Sequence, residues 1–250
     1  MKLLRLLSVL ALGALASLAA AAELNVYAAA SLSDALKQLA PAFTAASGHT
    51  LRFNFGASGA LARQIKEGAP ADVIFSADEL RVDQLEKAGL VLAGTRRTLL
   101  ANQLVAVVAA DTPVAVASLK DLAKADVRRI AIGEPATVPV GTYTKEHLQK
   151  IGLWKPLIDK MVPLDNVRAV LAAVESGNVE AGFVYKTDAL ISKKVKIAVA
   201  VPLADGPRIT YPVAVLQEAK SPDAARALLA FLAADDAQKV FASYGFLAPQ

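Results

Sequence analysis

Short apolar runs alternate with amphipathic stretches along most of this chain, and that alternation leaves few architectures open. Residues 24–29 read as a strand. A helix is expected from Ser31, because Leu32, Leu36, Leu39 and Phe43 fall at i, i+4, i+7 and i+11. Residues 50–55 alternate with strand period, with Leu51, Phe53 and Phe55 on one side. Gly56-Ala57-Ser58-Gly59 breaks the run before a helix over 60–67, and 72–76 and 78–88 read as the next strand and helix. This is the βαβ pattern of a parallel, doubly wound sheet. A second set follows, with strands at 104–109, 129–132, 181–185, 195–201 and 209–216. Its helices are expected at 118–124, 142–151 and 167–176, with a Gly/Pro-rich turn over 133–141 and closing helices over 222–244. There is no internal repeat, low-complexity tract or flexible linker. The expected fold is α/β with two lobes, each a mostly parallel sheet flanked by helices, joined by extended crossings.

The first 22 residues are set aside as a leader. Lys2 and Arg5 precede an apolar run over 6–18, and Ala20-Ala21-Ala22 before Glu23 suits a cleavage site. A membrane anchor is the alternative, but the run is short for a span of about 20 residues. No basic residue follows it until Lys37. Removing the leader takes two basic residues and no acid, so the formal charge falls from +4 to +2. That excess, with no basic run carrying interleaved aromatics, gives no case for nucleic acid. The chain has no cysteine, which excludes disulfides, thiolate metal sites, a cysteine nucleophile and N-terminal lipidation. An exported protein, soluble in a periplasm, is expected.

In open α/β sheets ligands sit outside the carboxyl ends of the strands. There the first turn of each following helix offers unpaired N–H groups and a partial positive charge. Four such corners lack bulky blocking residues: Ala29-Ala30-Ser31, Gly56-Ala57-Ser58-Gly59, Val138-Pro139-Val140-Gly141 and Asp165-Asn166-Val167. Each also has a plain structural reading. Ser31, Ser58 and Asn166 could be N-caps, and Pro139 and Gly141 turn punctuation. Tyr185, ending a buried strand, offers a hydroxyl or simply packs.

Enzyme readings fare poorly. Gly56-Ala57-Ser58-Gly59 resembles a nucleophile elbow, but residue 60 is Ala where the second glycine belongs. His49 and His147 read as solvated surface residues and make no zinc constellation. Phosphate-loop and dinucleotide glycine motifs are absent from the sequence. Asp235-Asp236 reads as a solvated helix face.

Several stretches together resemble the periplasmic molybdate-binding proteins of ABC uptake systems. They are Val26-Tyr-Ala-Ala-Ala-Ser-Leu-Ser-Asp-Ala-Leu, Leu61-Ala-Arg-Gln-Ile-Lys-Glu-Gly-Ala-Pro-Ala-Asp-Val-Ile-Phe-Ser-Ala-Asp and Arg97-Thr-Leu-Leu-Ala-Asn. Gly133-Glu-Pro-Ala-Thr-Val-Pro-Val-Gly-Thr-Tyr, Tyr211-Pro-Val-Ala-Val and Tyr244-Gly-Phe continue the match in order to the end of the chain. The resemblance implies a two-lobed class II substrate-binding fold with an oxyanion in the cleft. It implies that Ser31 and Ser58 donate hydroxyl and backbone N–H groups, Val140 and Val167 backbone N–H, and Tyr185 its phenol. These are hydrogen bonds to molybdate or tungstate, not ligation of the metal, and no cofactor is implied. The expected segments are a signal peptide at 1–22, lobe 1 from 23–108 and 209–250, and lobe 2 from 109–208. The expected partner is an ABC permease with its cytoplasmic ATPase, and the protein is expected to be a monomer. Sulfate or another tetrahedral oxyanion is the alternative ligand, and an exported serine hydrolase using Ser58 or Ser31 is the rival class. The family's serine-rich loop is here only Gly56-Ala57-Ser58-Gly59, and Val140 stands where alanine is frequent. Arg63 and Arg168, close in sequence to the corners, read as surface or lobe-packing residues.

Overall fold

The computed structural model describes residues 21–249; residues 1–20 of the expected leader lie outside these. In chain order the strands are β1 (Glu23–Ala29), β2 (Thr50–Gly56), β3 (Val73–Phe75), β4 (Arg97–Asn102), β5 (Leu104–Ala109), β6 (Ile130–Gly133), β7 (Met161–Leu164), β8 (Ala181–Tyr185), β9 (Val195–Ala200) and β10 (Ile209–Val215). The helices are α1 (Ser33–Ser47), α2 (Ser58–Lys66), α3 (Glu79–Lys87), α4 (Pro139–Lys150), α5 (Trp154–Leu157), α6 (Val167–Glu175), α7 (Lys186–Leu190), α8 (Pro222–Ala233) and α9 (Asp235–Ser243).

Among the described residues the strands form two five-stranded sheets, ordered β2-β1-β3-β10-β4 and β7-β6-β8-β5-β9. In the first, β1 pairs in parallel with β2 and β3, and β10 runs against both β3 and β4. In the second, β6 pairs in parallel with β7 and β8, and β5 runs against β8 and β9. Each sheet therefore has four strands pointing one way and one reversed. The reversed strands, β5 and β10, are those that directly follow a crossing of the chain between sheets. Gln103 ties the two crossings together, its side-chain amide donating to the Val201 carbonyl at 2.8 Å.

The central strands are apolar throughout because both faces are covered. Every residue of β8 and β10 is buried. The helices bury one stripe each: Val167, Val170, Leu171 and Val174 on α6, and Ala35, Leu36, Leu39 and Phe43 on α1. α1 continues through Pro41, which lies on its exposed face, and ends at Gly48 with φ 72°. No helix among the described residues is long and apolar enough to cross a membrane.

Several expectations need adjustment. The sequence places residues 104–108 in lobe 1, but β5 pairs with β8 and β9, so the crossing falls at Gln103 rather than after 108. Its unbroken Leu-Val-Ala-Val-Val-Ala run suits a strand covered on both faces, and that place exists between β8 and β9. Residues 118–124 contain a 3-10 turn, Leu119–Ala123, held by a Ser118–Asp121 capping box. α2 and α4 begin at Ser58 and Pro139, earlier than expected, because Pro139 is a first-turn proline and not a helix stop. β4 and β7 were not foreseen as strands.

Candidate functional site

The carboxyl ends of β1, β2, β6, β7 and β8 lead into one cavity between the sheets. Ser31, Ser58, Val140, Val167 and Tyr185 all line it, and the remaining lining is small, apolar or neutral. The chain has thus brought all five expected residues together. None of the lining side chains is charged.

The helix starts leave N–H groups free at the expected places. The first N–H groups of a helix have no acceptor within it. In α6 the Asn166 side chain accepts from Arg168 and Ala169, and Val170 bonds the Asn166 carbonyl. Those acceptors leave the Val167 N–H to one side. In α4, Pro139 has no N–H, and Gly141 and Thr142 both donate to the Val138 carbonyl, which leaves Val140. Ser31 sits in a 3-10 turn ahead of α1 and Ser58 is the first residue of α2; neither serine is a side-chain cap. Asn166 is a cap, as its plain reading had it.

The side-chain hydroxyls are buried and arranged differently. The Ala77 N–H donates to Ser58 Oγ at 2.9 Å, so the Ser58 proton is free to point elsewhere. Ser31 Oγ lies 3.0 Å from the Tyr211 hydroxyl. Tyr185 is 1% exposed, and its hydroxyl has no hydrogen-bond partner among the described residues. Burial pushes its ionisation well above the usual tyrosine range, so it remains a proton donor. A buried, partnerless hydroxyl costs free energy in a protein interior unless something arrives to accept from it.

Two sets of contacts join the sheets around the cavity. Between the Ser58 and Val140 corners, the Gly59 N–H donates to the Thr137 carbonyl at 3.1 Å and Arg81 Nη2 donates to the Ala136 carbonyl at 2.8 Å. Between the Ser31 and Val167 corners, Arg168 pairs with Asp188 at 2.7 Å in its own lobe. It also pairs with Asp34 at 2.7 Å across the cleft and donates to the Ser31 carbonyl at 3.4 Å. Burial pushes the Asp188 carboxyl up to about 6 against the pull of Arg168. Arg168 is therefore a lobe-packing residue with its charge opposed by two carboxylates, and Arg63 is exposed.

Neither histidine lines the cavity. His49 accepts from the Ala22 N–H at 3.1 Å. His147 corrects an expectation: it is only 5% exposed, since it sits on the inward face of α4, and burial lowers its pKa. Among the described residues no cluster of His, Asp and Glu could hold a metal ion. Sequence reasoning missed Tyr211 and Ala77, which bond Ser31 and Ser58, and Asn102, which bonds Tyr211; each partner comes from a different element of the chain.

Residues 24–247 match the family model for bacterial extracellular solute-binding proteins. The molybdate-binding protein ModA of Escherichia coli (strain K12) is 38% identical over 235 residues, covering 92% of this chain and 91% of that protein. ModA of Haemophilus influenzae is 35% identical over 239 residues, covering 93% and 92%. The solved periplasmic molybdate-binding protein of Azotobacter vinelandii superposes with a TM-score of 0.82 at 27% identity, over 91% of this chain and 100% of that one.

Proposed function

The chain belongs to the family of bacterial extracellular solute-binding proteins, and from that premise we propose that it captures molybdate, and tungstate with it, between its two sheets. It is a binding protein and not an enzyme. In this reading the leader exports it to the periplasm, and it hands the anion to an ABC permease driven by a cytoplasmic ATPase. The observation that carries the reading is the convergence of Ser31, Ser58, Val140, Val167 and Tyr185 on one uncharged cavity, with the Tyr185 hydroxyl lacking a partner.

The chemistry suits a tetrahedral dianion. Hydrogen bonds to an ionised acceptor are roughly twice as strong as neutral ones, and a water-poor cleft strengthens them further. A buried cation would add its own desolvation cost. Titration calorimetry with molybdate, tungstate, sulfate and phosphate tests the assignment. Saturable binding of molybdate and tungstate, without hydrolysis of a generic ester, is expected. No heat with molybdate would end the reading, and tighter binding of sulfate would reassign the ligand.

Two further outcomes follow from the site's build. Because the donors are neutral and Arg168 is matched by Asp34 and Asp188, molybdate affinity should change little with ionic strength. The Debye length shortens from about 30 Å at 0.01 M to about 8 Å at 0.15 M, so steering by fixed cations would show as a marked loss over that range. A steep fall in sodium chloride, beyond competition by chloride, contradicts neutral recognition. The anion should also favour the closed arrangement, because it bonds both sheets only there. The moving bodies in this reading are the two sheets with their helices, hinged at Gln103 and 201–208. Small-angle scattering should record a smaller radius of gyration with saturating molybdate, and an unchanged radius would contradict closure.

A further inference from the structure

Ser31 and Tyr211 could share their hydrogen bond in either direction, and the neighbours of Tyr211 decide which. The Gln103 N–H donates to Asn102 Oδ1 at 2.9 Å, which orients the Asn102 amide. Its nitrogen then faces the Tyr211 hydroxyl at 3.1 Å and Thr187 Oγ1 at 2.9 Å. An amide nitrogen has only protons to give. Tyr211 therefore accepts from Asn102, and its own proton must go to another acceptor. Ser31 Oγ, at 3.0 Å, is the other hydrogen-bond partner of that hydroxyl among the described residues. With Tyr211 donating into it, Ser31 keeps its own proton for the cavity. Tyr211, Asn102 and Ser31 are 0%, 2% and 3% exposed, so bulk water does not relieve this order.

We infer that Asn102 and Tyr211 are positioning residues that set the direction of the Ser31 hydroxyl, making it a donor to the bound anion. The inference rests on the oxyanion reading above and deepens it. Ser58 reaches the same state by a different route, through the Ala77 N–H. With Tyr185 also a donor, the side chains meeting the ligand offer protons and no committed acceptor. An oxyanion whose oxygens carry no proton satisfies every one of them. One that keeps a proton, as phosphate does near neutral pH, sets a donor against donors, which is heavily penalised in a buried site.

Molybdate and phosphate affinities measured at one pH on the parent, Tyr211→Phe, Ser31→Ala, the double variant and Asn102→Asp test this. Tyr211→Phe keeps the ring and removes the proton that Ser31 accepts. Molybdate affinity should fall about 2- to 10-fold, the range for one neutral hydrogen bond. Phosphate affinity should hold or rise, because the freed hydroxyl can turn a lone pair to the ligand. In the Ser31→Ala background the same change should have no further effect on molybdate, since the chain acts through that hydroxyl. Asn102→Asp provides an acceptor for Tyr211, reverses the chain and should narrow the preference for molybdate over phosphate further. At a mildly alkaline pH, where phosphate is mainly the hydrogen phosphate dianion and still keeps a proton, the added charge alone would weaken both anions alike. Equal losses for both anions, or additive losses in the double variant, would overturn the inference and leave Tyr211 a packing residue. A parent that binds no molybdate would remove the oxyanion reading itself, which the variants alone cannot do.

Discussion

Tyr185→Phe is expected to lower molybdate affinity about 10- to 150-fold while leaving the melting temperature of the empty protein undiminished. The magnitude is the roughly 1.5–3 kcal/mol of a hydrogen bond to a charged acceptor. The direction on stability comes from the structure. Tyr185 ends β8 with its ring buried edge-on against Tyr211, and its hydroxyl bonds no other group among the described residues. Phenylalanine keeps the ring contacts and removes a polar atom that the empty fold does not use. A tyrosine serving only the fold would behave the opposite way, with a destabilised variant that binds like its parent. Melting temperature and calorimetric affinity on one preparation separate the two. That second pattern would take Tyr185 out of the site.

Gly59→Ala is the other large effect, and it splits stability from binding by sign. Gly59 lies in the first turn of α2, where alanine has the higher helix propensity by about 1 kcal/mol. Within lobe 1 the nearest atom to an added Cβ is Arg81 Nε at 3.0 Å, on a side chain that can shift. The opposing atoms are backbone of the other lobe: the Thr137 carbonyl, whose carbon would stand 3.0 Å away and whose oxygen nearer still. The methyl group therefore obstructs the approach of Thr137 to Gly59, and in the closure reading it would be accommodated only once the two corners part. Overpacking of this kind costs about 1–3 kcal/mol, so affinity should fall roughly 5- to 150-fold while the empty variant melts no lower than the parent. Scattering should show a larger liganded radius of gyration than the parent's. Parent-like affinity would mean that the Gly59–Thr137 approach is not needed for binding.

The parts of the fold visible in the sequence were those with a local cause. α1 and α6 announce their buried stripes through spacing, and β8 through an unbroken apolar run. The four corners were visible because small residues and glycine mark the places where a backbone must come close to something. β7 was hidden because Met161–Leu164 is half-exposed at a sheet edge and contains Pro163, which reads against a strand. His147 was misjudged because its neighbours Lys145, Glu146 and Lys150 are polar, while the helix turns that one position inward. The chain from Asn102 through Tyr211 to Ser31 joins residues 109 and 180 positions apart. Only the pairing of β4 with β10 brings its first two members side by side, and no periodicity encodes that.

The contacts that join the sheets bear on how long an anion stays. One set fastens the Ser31 corner to the Val167 corner through Arg168, and the other fastens the Ser58 corner to the Val140 corner through Gly59 and Arg81. If the cavity holds the anion as proposed, an anion that breaks only its own hydrogen bonds is still caged. Escape needs both fastenings undone together, so residence time becomes a property of the whole molecule's breathing rather than of the donors. In that reading, a membrane partner that grips each lobe separately would pull the cage apart and free its cargo without ever competing for it.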